Sequence, residues 1–544
     1  AHMKRLEKMA RETGFDVPLY TATGWGGAVT AGLLPVMGGY CEAPWDPRIT
    51  EIEPSGNYVF TYERNDHAIG CDFGLGEGIT FDMTKYPYLT AELGGGLQVT
   101  LKRRPIAQPK DIGAMSLAKM GSGCNLLGYY MYHGGQNPEG KLTTLEENIA
   151  TGSLNDMSIK NYDFRAPLGE YGLPNGTYGE IKLYSLFAHD FGEFLASTET
   201  DLPDSNPITP ENFSDLRTSW RYKECEKCGK KRGFVFVNNY QRRRKMAGHK
   251  NVVLASTEKS GADIQFPAID VADKDFFFLP FNMKVADGLL KTSLATPLCV
   301  LNNQRKVYVF YSAAKPVGSL AEKDSSVCSA KDASVSLYQF EGEVPDCDIV
   351  TLSREDALNA HKVSANGKEY LVVTDSVLFQ NNQDGKTELE FEDCKKISFK
   401  AFPELEKVPE GFSAKKCGGG FTVYTFDQDA AESPKVSCQK ISEDEKTAVY
   451  KISVESWQNG LDDLFIDIGY AGNCARLYEN GKLIDDGIFI GENYPWSIGL
   501  KRYGKNAHDF TLEIDALKKD APIFIEEWPD FAGQGSLKKV NGIK

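Results

Sequence analysis

Two hydrophobic periods divide the chain. Up to about residue 200, stretches with apolar residues at helical spacing alternate with short continuous apolar runs. Met3, Leu6, Met9 and Ala10 share one helical face, Gly14 follows as a stop, and residues 17–23 form an apolar run of strand length. Further strands are predicted at residues 58–62, 88–92 and 126–132, with an apolar helix over 110–120 feeding the last of them. A second helix is predicted over 180–195. Thr177 and Glu180 there have capping-box spacing, and Ile181, Tyr184, Phe187, Phe191 and Leu195 form a stripe that reads as core. Such alternation calls for a parallel sheet whose functional loops gather at the strands' carboxyl ends, and four strands make half of an eight-stranded (β/α)₈ barrel.

Beyond residue 200 the period shortens. Asn366-Gly367, Asp384-Gly385 and Asn480-Gly481 each separate alternating or apolar runs and read as tight hairpin turns, which predicts β-sandwich domains. Phe276, Phe277, Phe278, Leu279, Pro280 and Phe281 form an aromatic run read as packing, because consecutive phenylalanines on a strand cannot all face one ligand. Shifts toward proline, serine and charge mark linkers at 200–212, 320–350 and 440–448.

Composition narrows the chemistry. The net charge of -15 over 544 residues argues against nucleic acid or an anionic membrane as partner and favours a neutral ligand such as a sugar. No run of about 18 apolar residues is present, and the start lacks the charged-then-apolar order of a signal peptide. The 12 cysteines are too scattered for a disulfide scaffold, so the compartment is read as cytoplasmic. Cys225 and Cys228 make half of a zinc ribbon with no second Cys-x-x-Cys to complete it, so structural zinc and a plain exposed loop both stand open. The 7 histidines show no His-x-His or His-Glu-x-x-His spacing, which argues against a metal-dependent hydrolase; no cofactor is called for.

The most informative segment is Pro87-Tyr88-Leu89-Thr90-Ala91-Glu92-Leu93-Gly94-Gly95-Gly96. It reads as a short buried strand delivering one carboxylate to the edge of a glycine-rich loop, where backbone can approach a ligand with no Cβ in the way. Glu92 is then either a solvated strand end or a nucleophile, and the chemistry that fits the second reading is glycoside hydrolysis.

Four ordered segments resemble the family-35 glycoside hydrolases, the β-galactosidases. They are Val17-Pro18-Leu19-Tyr20-Thr21-Ala22-Thr23-Gly24-Trp25-Gly26-Gly27, then Leu89-Thr90-Ala91-Glu92-Leu93-Gly94, then Tyr130-Met131-Tyr132-His133-Gly134-Gly135-Gln136-Asn137-Pro138, then Asn161-Tyr162-Asp163-Phe164-Arg165-Ala166-Pro167-Leu168-Gly169-Glu170-Tyr171-Gly172. Gly233-Phe234-Val235-Phe236-Val237-Asn238-Asn239-Tyr240 and Ala475-Arg476-Leu477-Tyr478-Glu479-Asn480-Gly481-Lys482-Leu483 with Trp496 are similar to the family's accessory β-domains.

The resemblance implies the C-terminal half of a (β/α)₈ TIM barrel over residues 1–200, followed by β-rich units over 201–345 and 346–445 and a galactose-binding-like jelly roll over 446–544. It implies a retaining exo-β-galactosidase acting on terminal β-galactosides or oligosaccharides, with Glu92 as nucleophile. Such double displacement needs a second carboxylate about 5–5.5 Å away that protonates the leaving oxygen and then activates water. The family carries it in an asparagine-glutamate-tyrosine motif upstream of the segment matching Val17, and no such motif precedes Val17 here. The acid/base is therefore expected upstream of this chain, and the missing barrel half, from another segment or a homo-oligomeric partner, as the cover for its strand edges. Glu42, Glu77 and Glu170 are weaker substitutes near the barrel mouth.

By the same resemblance Tyr130 and Tyr132 orient the nucleophile or bond the sugar, and Trp25 offers an apolar platform for a pyranose face. His133 is read as structural. Two other readings stay open: a carbohydrate-binding or scaffolding protein without turnover, and an exo-β-glycosidase of other sugar specificity.

Overall fold

The computed structural model describes residues 1–22, 31–62, 64, 81–142, 145–226, 229–260, 264–318, 324–380, 387–390, 396–427, 434–457 and 461–544. The first unit is built on an all-parallel sheet. Tyr20–Ala22 pairs with Leu34–Gly39, which pairs with Tyr88–Gly94, and Tyr88–Gly94 in turn pairs with both Cys124–Leu126 and Tyr129–Tyr130. Among the described residues this sheet is open.

The second strand is not where the pattern predicts it. Residues 58–62 form no strand: Gly56–Tyr58 is a 3-10 turn capped by the Ser55 side chain, and the Tyr58 ring is fully buried against Tyr240. The aromatic residues there serve packing. The strand is Leu34–Gly39, whose proline and paired glycines hide its apolar run.

Helix Pro109–Gly121 feeds Cys124–Leu126. The Asp111 carboxylate accepts from the Gln108 N–H at 2.8 Å, Pro109 opens the first turn, and every residue from Asp111 to Gly121 is buried. Helix Gly176–Ala196 packs across it, with Ile181, Tyr184, Phe187 and Leu195 in one cluster with Ile112 and Met115. The capping box expected at Thr177 and Glu180 does not form. Asn175 is the N-cap, Thr177 lies inside the helix, and the buried Glu180 carboxylate pairs with Arg354 at 2.8 Å. Helix His2–Glu12 buries none of its residues against the rest of the described chain.

The aromatic run forms the middle of a six-stranded antiparallel sheet, ordered Tyr338–Glu341, Gly288–Ser293, Phe276–Val285, Lys231–Asn238, Arg217–Glu224 and Glu199–Asp201. Strand alternation splits the phenylalanines between two cores. Phe276 and Phe278 face the helices of the first unit, whereas Phe277, Leu279 and Phe281 join a second cluster with Trp220 and Phe310. A four-stranded sheet unites Ala295–Leu301 and Val307–Ser312 with Asp348–Leu352 and Ser326–Ser329, across residue 345. A further five-stranded sheet runs from Ala360–Ala365 to Thr422–Asp427.

The last unit is a sandwich of two antiparallel sheets. One contains Val436–Glu443, Thr447–Val454, His508–Asp515, Cys474–Glu479 and Lys482–Ile488; the other contains Trp496–Gly499, Phe465–Ala471 and Lys539–Ile543. Both feed one core that includes Ile452, Leu477, Leu512, Ile468 and Ile498. The stretch 440–448, expected as a linker, is the hairpin joining the first two of these strands. Asn366-Gly367 and Asn480-Gly481 do turn hairpins, with positive φ at both residues of each pair, as a two-residue loop of the type I′ class requires. Asp384-Gly385 lies outside the described residues.

The sandwich is bonded to the first unit by backbone and by charge. Phe524–Ile525 pairs in parallel with Arg103–Arg104, and the fully buried Arg104 guanidinium donates to the carbonyls of Asn473 and Phe489. The Asp486 carboxylate accepts the N–H groups of Ile159, Lys160 and Asn161. A buried Arg242 ties three regions together by bonding Glu42 at 2.7 Å, Glu526 at 2.5 Å and Asp111 at 3.3 Å.

Candidate active site

Glu92 lies near the carboxyl end of Tyr88–Gly94, half-buried, and its Oε1 accepts a hydrogen bond from Tyr40 Oη at 2.8 Å. Tyr40 follows directly after Leu34–Gly39, so two neighbouring parallel strands deliver the two groups from the same end. The Tyr40 ring is 5% exposed and edge-on to Trp45, with Asn57 Nδ2 donating to its backbone carbonyl. It also leans on the glycine run, since a Cβ on Gly94 would stand 2.5 Å from Tyr40 Cδ1. Burial pushes the Glu92 carboxyl above the usual carboxylate range, and the Tyr40 hydroxyl pulls it part of the way back. Burial and the adjoining carboxylate push the Tyr40 phenol strongly upward, so it stands as a neutral donor.

The third strand end brings Tyr130. Gly94 pairs with Tyr130 in register and the Gly95 N–H donates to the Tyr130 carbonyl at 2.9 Å. The Tyr130 hydroxyl meets that of Tyr162 at 2.5 Å, and Glu92 is among the charges acting on Tyr130. Glu92, Tyr40 and Tyr130, at the carboxyl ends of adjacent parallel strands, therefore form one group with Tyr162, which comes from Asn161–Tyr162, a strand paired antiparallel with Gly135–Gln136.

Tyr132 does not join them. Met131 has φ of 60°, which breaks the two-residue alternation that would keep Tyr130 and Tyr132 on one side; Tyr132 turns outward toward Tyr178, 38% exposed. Trp25 and Glu77 lie outside the described residues. His133 is exposed, its Nδ1 beside its neighbour's carbonyl, that of Gly134.

Glu42 is engaged elsewhere, buried between Arg103 at 3.0 Å and Arg242 at 2.7 Å. Glu170 faces the C-terminal sandwich, bonded by Asn161 and by Arg502 at 3.2 Å. Neither is among the groups acting on the Glu92 carboxyl, whereas Glu147 is among the charges acting on Tyr130. Sequence reasoning misses Tyr40 and the role of Tyr162. The first has a signal in hindsight, a phenol one residue beyond an apolar strand, but that strand itself is the one the pattern conceals.

Cys225 directly follows Arg217–Glu224, its N–H donating to the Lys230 carbonyl at 2.9 Å, and Cys228 lies outside the described residues. Among the described residues no group of three or more His, Cys, Asp or Glu side chains is arranged to hold a metal ion, and no helix is long and apolar enough to cross a membrane. The chain matches no known protein-family model and no curated protein.

Proposed function

We propose that the chain carries the nucleophile of a retaining exo-β-galactosidase of the family-35 type, acting on terminal β-galactosides. The observation that supports it is the Tyr40 to Glu92 hydrogen bond of 2.8 Å, set at the carboxyl ends of adjacent parallel strands. Glu92 attacks the anomeric carbon, Tyr40 holds one carboxylate oxygen so that the other is presented, and the Tyr130–Tyr162 hydroxyl pair supplies hydroxyl contacts beside it. The open parallel sheet is compatible with half of a barrel. The proton donor is a glutamate expected upstream of this chain.

Chemical rescue tests this directly. A dinitrophenyl galactoside needs no proton on its leaving group, so the chain is expected to release dinitrophenolate without the acid partner. Glu92→Gly abolishes that release, and added azide restores it with formation of the α-galactosyl azide, the product of single inversion at a vacated nucleophile site. Retention of wild-type release in Glu92→Gly contradicts the reading.

A further inference from the structure

A cavity of about 420 Å³ lies between the 157–175 turn of the first unit and the C-terminal sandwich, within the size range of small-molecule sites, about 300–1,000 Å³. None of Glu92, Tyr40 or Tyr130 lines it. It adjoins the tyrosine group, since Phe164 on its wall meets Tyr162 in a tilted ring pair with centroids 4.3 Å apart.

Its lining combines aromatic faces with amide and carboxyl groups. From the first unit come Phe164, Arg165 and Glu170, and from the sandwich Asn493, Tyr494 and Trp496. The Arg165 guanidinium lies over the Tyr494 ring at 4.3 Å, which bridges the two walls and fixes the aromatic face. Trp496 is 9% exposed, and its ring forms part of the wall beside Gly487. Charges are paired. The lining carries Arg165 with Asp163, and Glu170, whose carboxyl is bonded by Arg502 at 3.2 Å and is pushed upward by burial and by nearby Asp485.

We propose that this cavity is a second ligand site, distinct from Glu92, that binds a neutral saccharide of one or two rings. An apolar ligand would leave the buried polar groups unpaired, and a charged one would meet no net opposite charge. A sugar ring matches both parts of the lining, with its C–H face on the aromatic rings and its hydroxyls on the amide and carboxyl groups. The inference does not depend on what Glu92 does.

Cellobiose and maltose, neither of which carries the terminal β-galactoside proposed for Glu92, are titrated calorimetrically into the full chain to test it. At least one is expected to bind, with the same affinity in Glu92→Gln and at least tenfold weaker in the Asn493→Ala/Tyr494→Ala double variant. Trp496→Phe, which keeps an aromatic ring but shortens it, provides a second variant with the same expected direction; an unchanged unfolding midpoint shows that each variant is folded. Absence of binding to either sugar overturns the proposal. So does binding that survives both cavity variants, or binding lost in Glu92→Gln alone, which assigns the sugar to the tyrosine group instead. A failed chemical rescue at Glu92 leaves these outcomes unmoved.

Discussion

Tyr40 is the side chain that holds the Glu92 carboxyl, at 2.8 Å. Its hydroxyl is the one contact that lowers the carboxyl against the upward push of burial. Tyr40→Phe is therefore expected to raise the acidic limb of any Glu92-dependent reaction to higher pH. It should also slow that reaction about 10- to 100-fold, the equivalent of about 1.5–3 kcal/mol for a hydrogen bond to a charged group, read from pre-steady-state rates against pH. Glu170 makes a second prediction at this scale. It and Asp485 are both pushed above the usual carboxylate range by burial, so each binds a proton more tightly in the folded chain than in the unfolded one. Their contribution to stability is complete at low pH and is lost as pH rises from about 5 into the alkaline range. Lys182, pushed down to about 7 by burial, works with the opposite sign. The informative quantity is thus the unfolding midpoint of wild type minus that of Glu170→Gln, which should fall steadily with rising pH and can turn negative; a value that rises with pH would contradict the assignment.

At the scale of elements, the strand ends depend on glycines where backbone meets backbone. A Cβ on Gly128 would stand 2.3 Å from the Thr90 carbonyl oxygen, and one on Gly95 2.8 Å from that of Met131, whereas Gly135 has nothing within 4 Å. Gly128→Ala and Gly95→Ala should each destabilise by about 1–3 kcal/mol in denaturant unfolding, as overpacking does, and Gly135→Ala by far less. The same scale explains what the sequence makes legible. Tyr88–Gly94 reads correctly because its apolar residues are continuous and end in glycines, and the helices over 110–120 and 180–195 because their faces are apolar over several turns. Asn366-Gly367 and Asn480-Gly481 read correctly because a two-residue turn demands positive φ at both positions. Leu34–Gly39 is hidden by its own proline and glycines, and residues 58–62 mislead because aromatic residues pack as readily from a 3-10 turn as from a strand. Missing that strand hides Tyr40, and local alternation cannot foresee the positive φ at Met131 that separates Tyr132 from Tyr130.

At the scale of the whole molecule, the units are joined through buried charge as well as apolar cores. Arg242 is buried among Glu42, Asp111 and Glu526, drawn from two loops and a helix in different parts of the chain. Arg242→Met removes the only described cation that bridges these three carboxylates and should cost about 3–5 kcal/mol, because it leaves buried charge uncompensated. The loss should appear as a lower denaturant midpoint; no change would mean that the network relaxes into solvent. The same mutual docking sets the parallel strand ends, and hence Glu92, facing outward from a fixed scaffold. Trapping the covalent intermediate tests that arrangement most directly. The chain is treated with a 2-fluoro galactoside bearing a dinitrophenyl leaving group, digested, and the labelled peptide is sequenced by mass spectrometry. One galactosyl adduct on Glu92 is predicted, and an adduct on any other carboxylate would contradict the account.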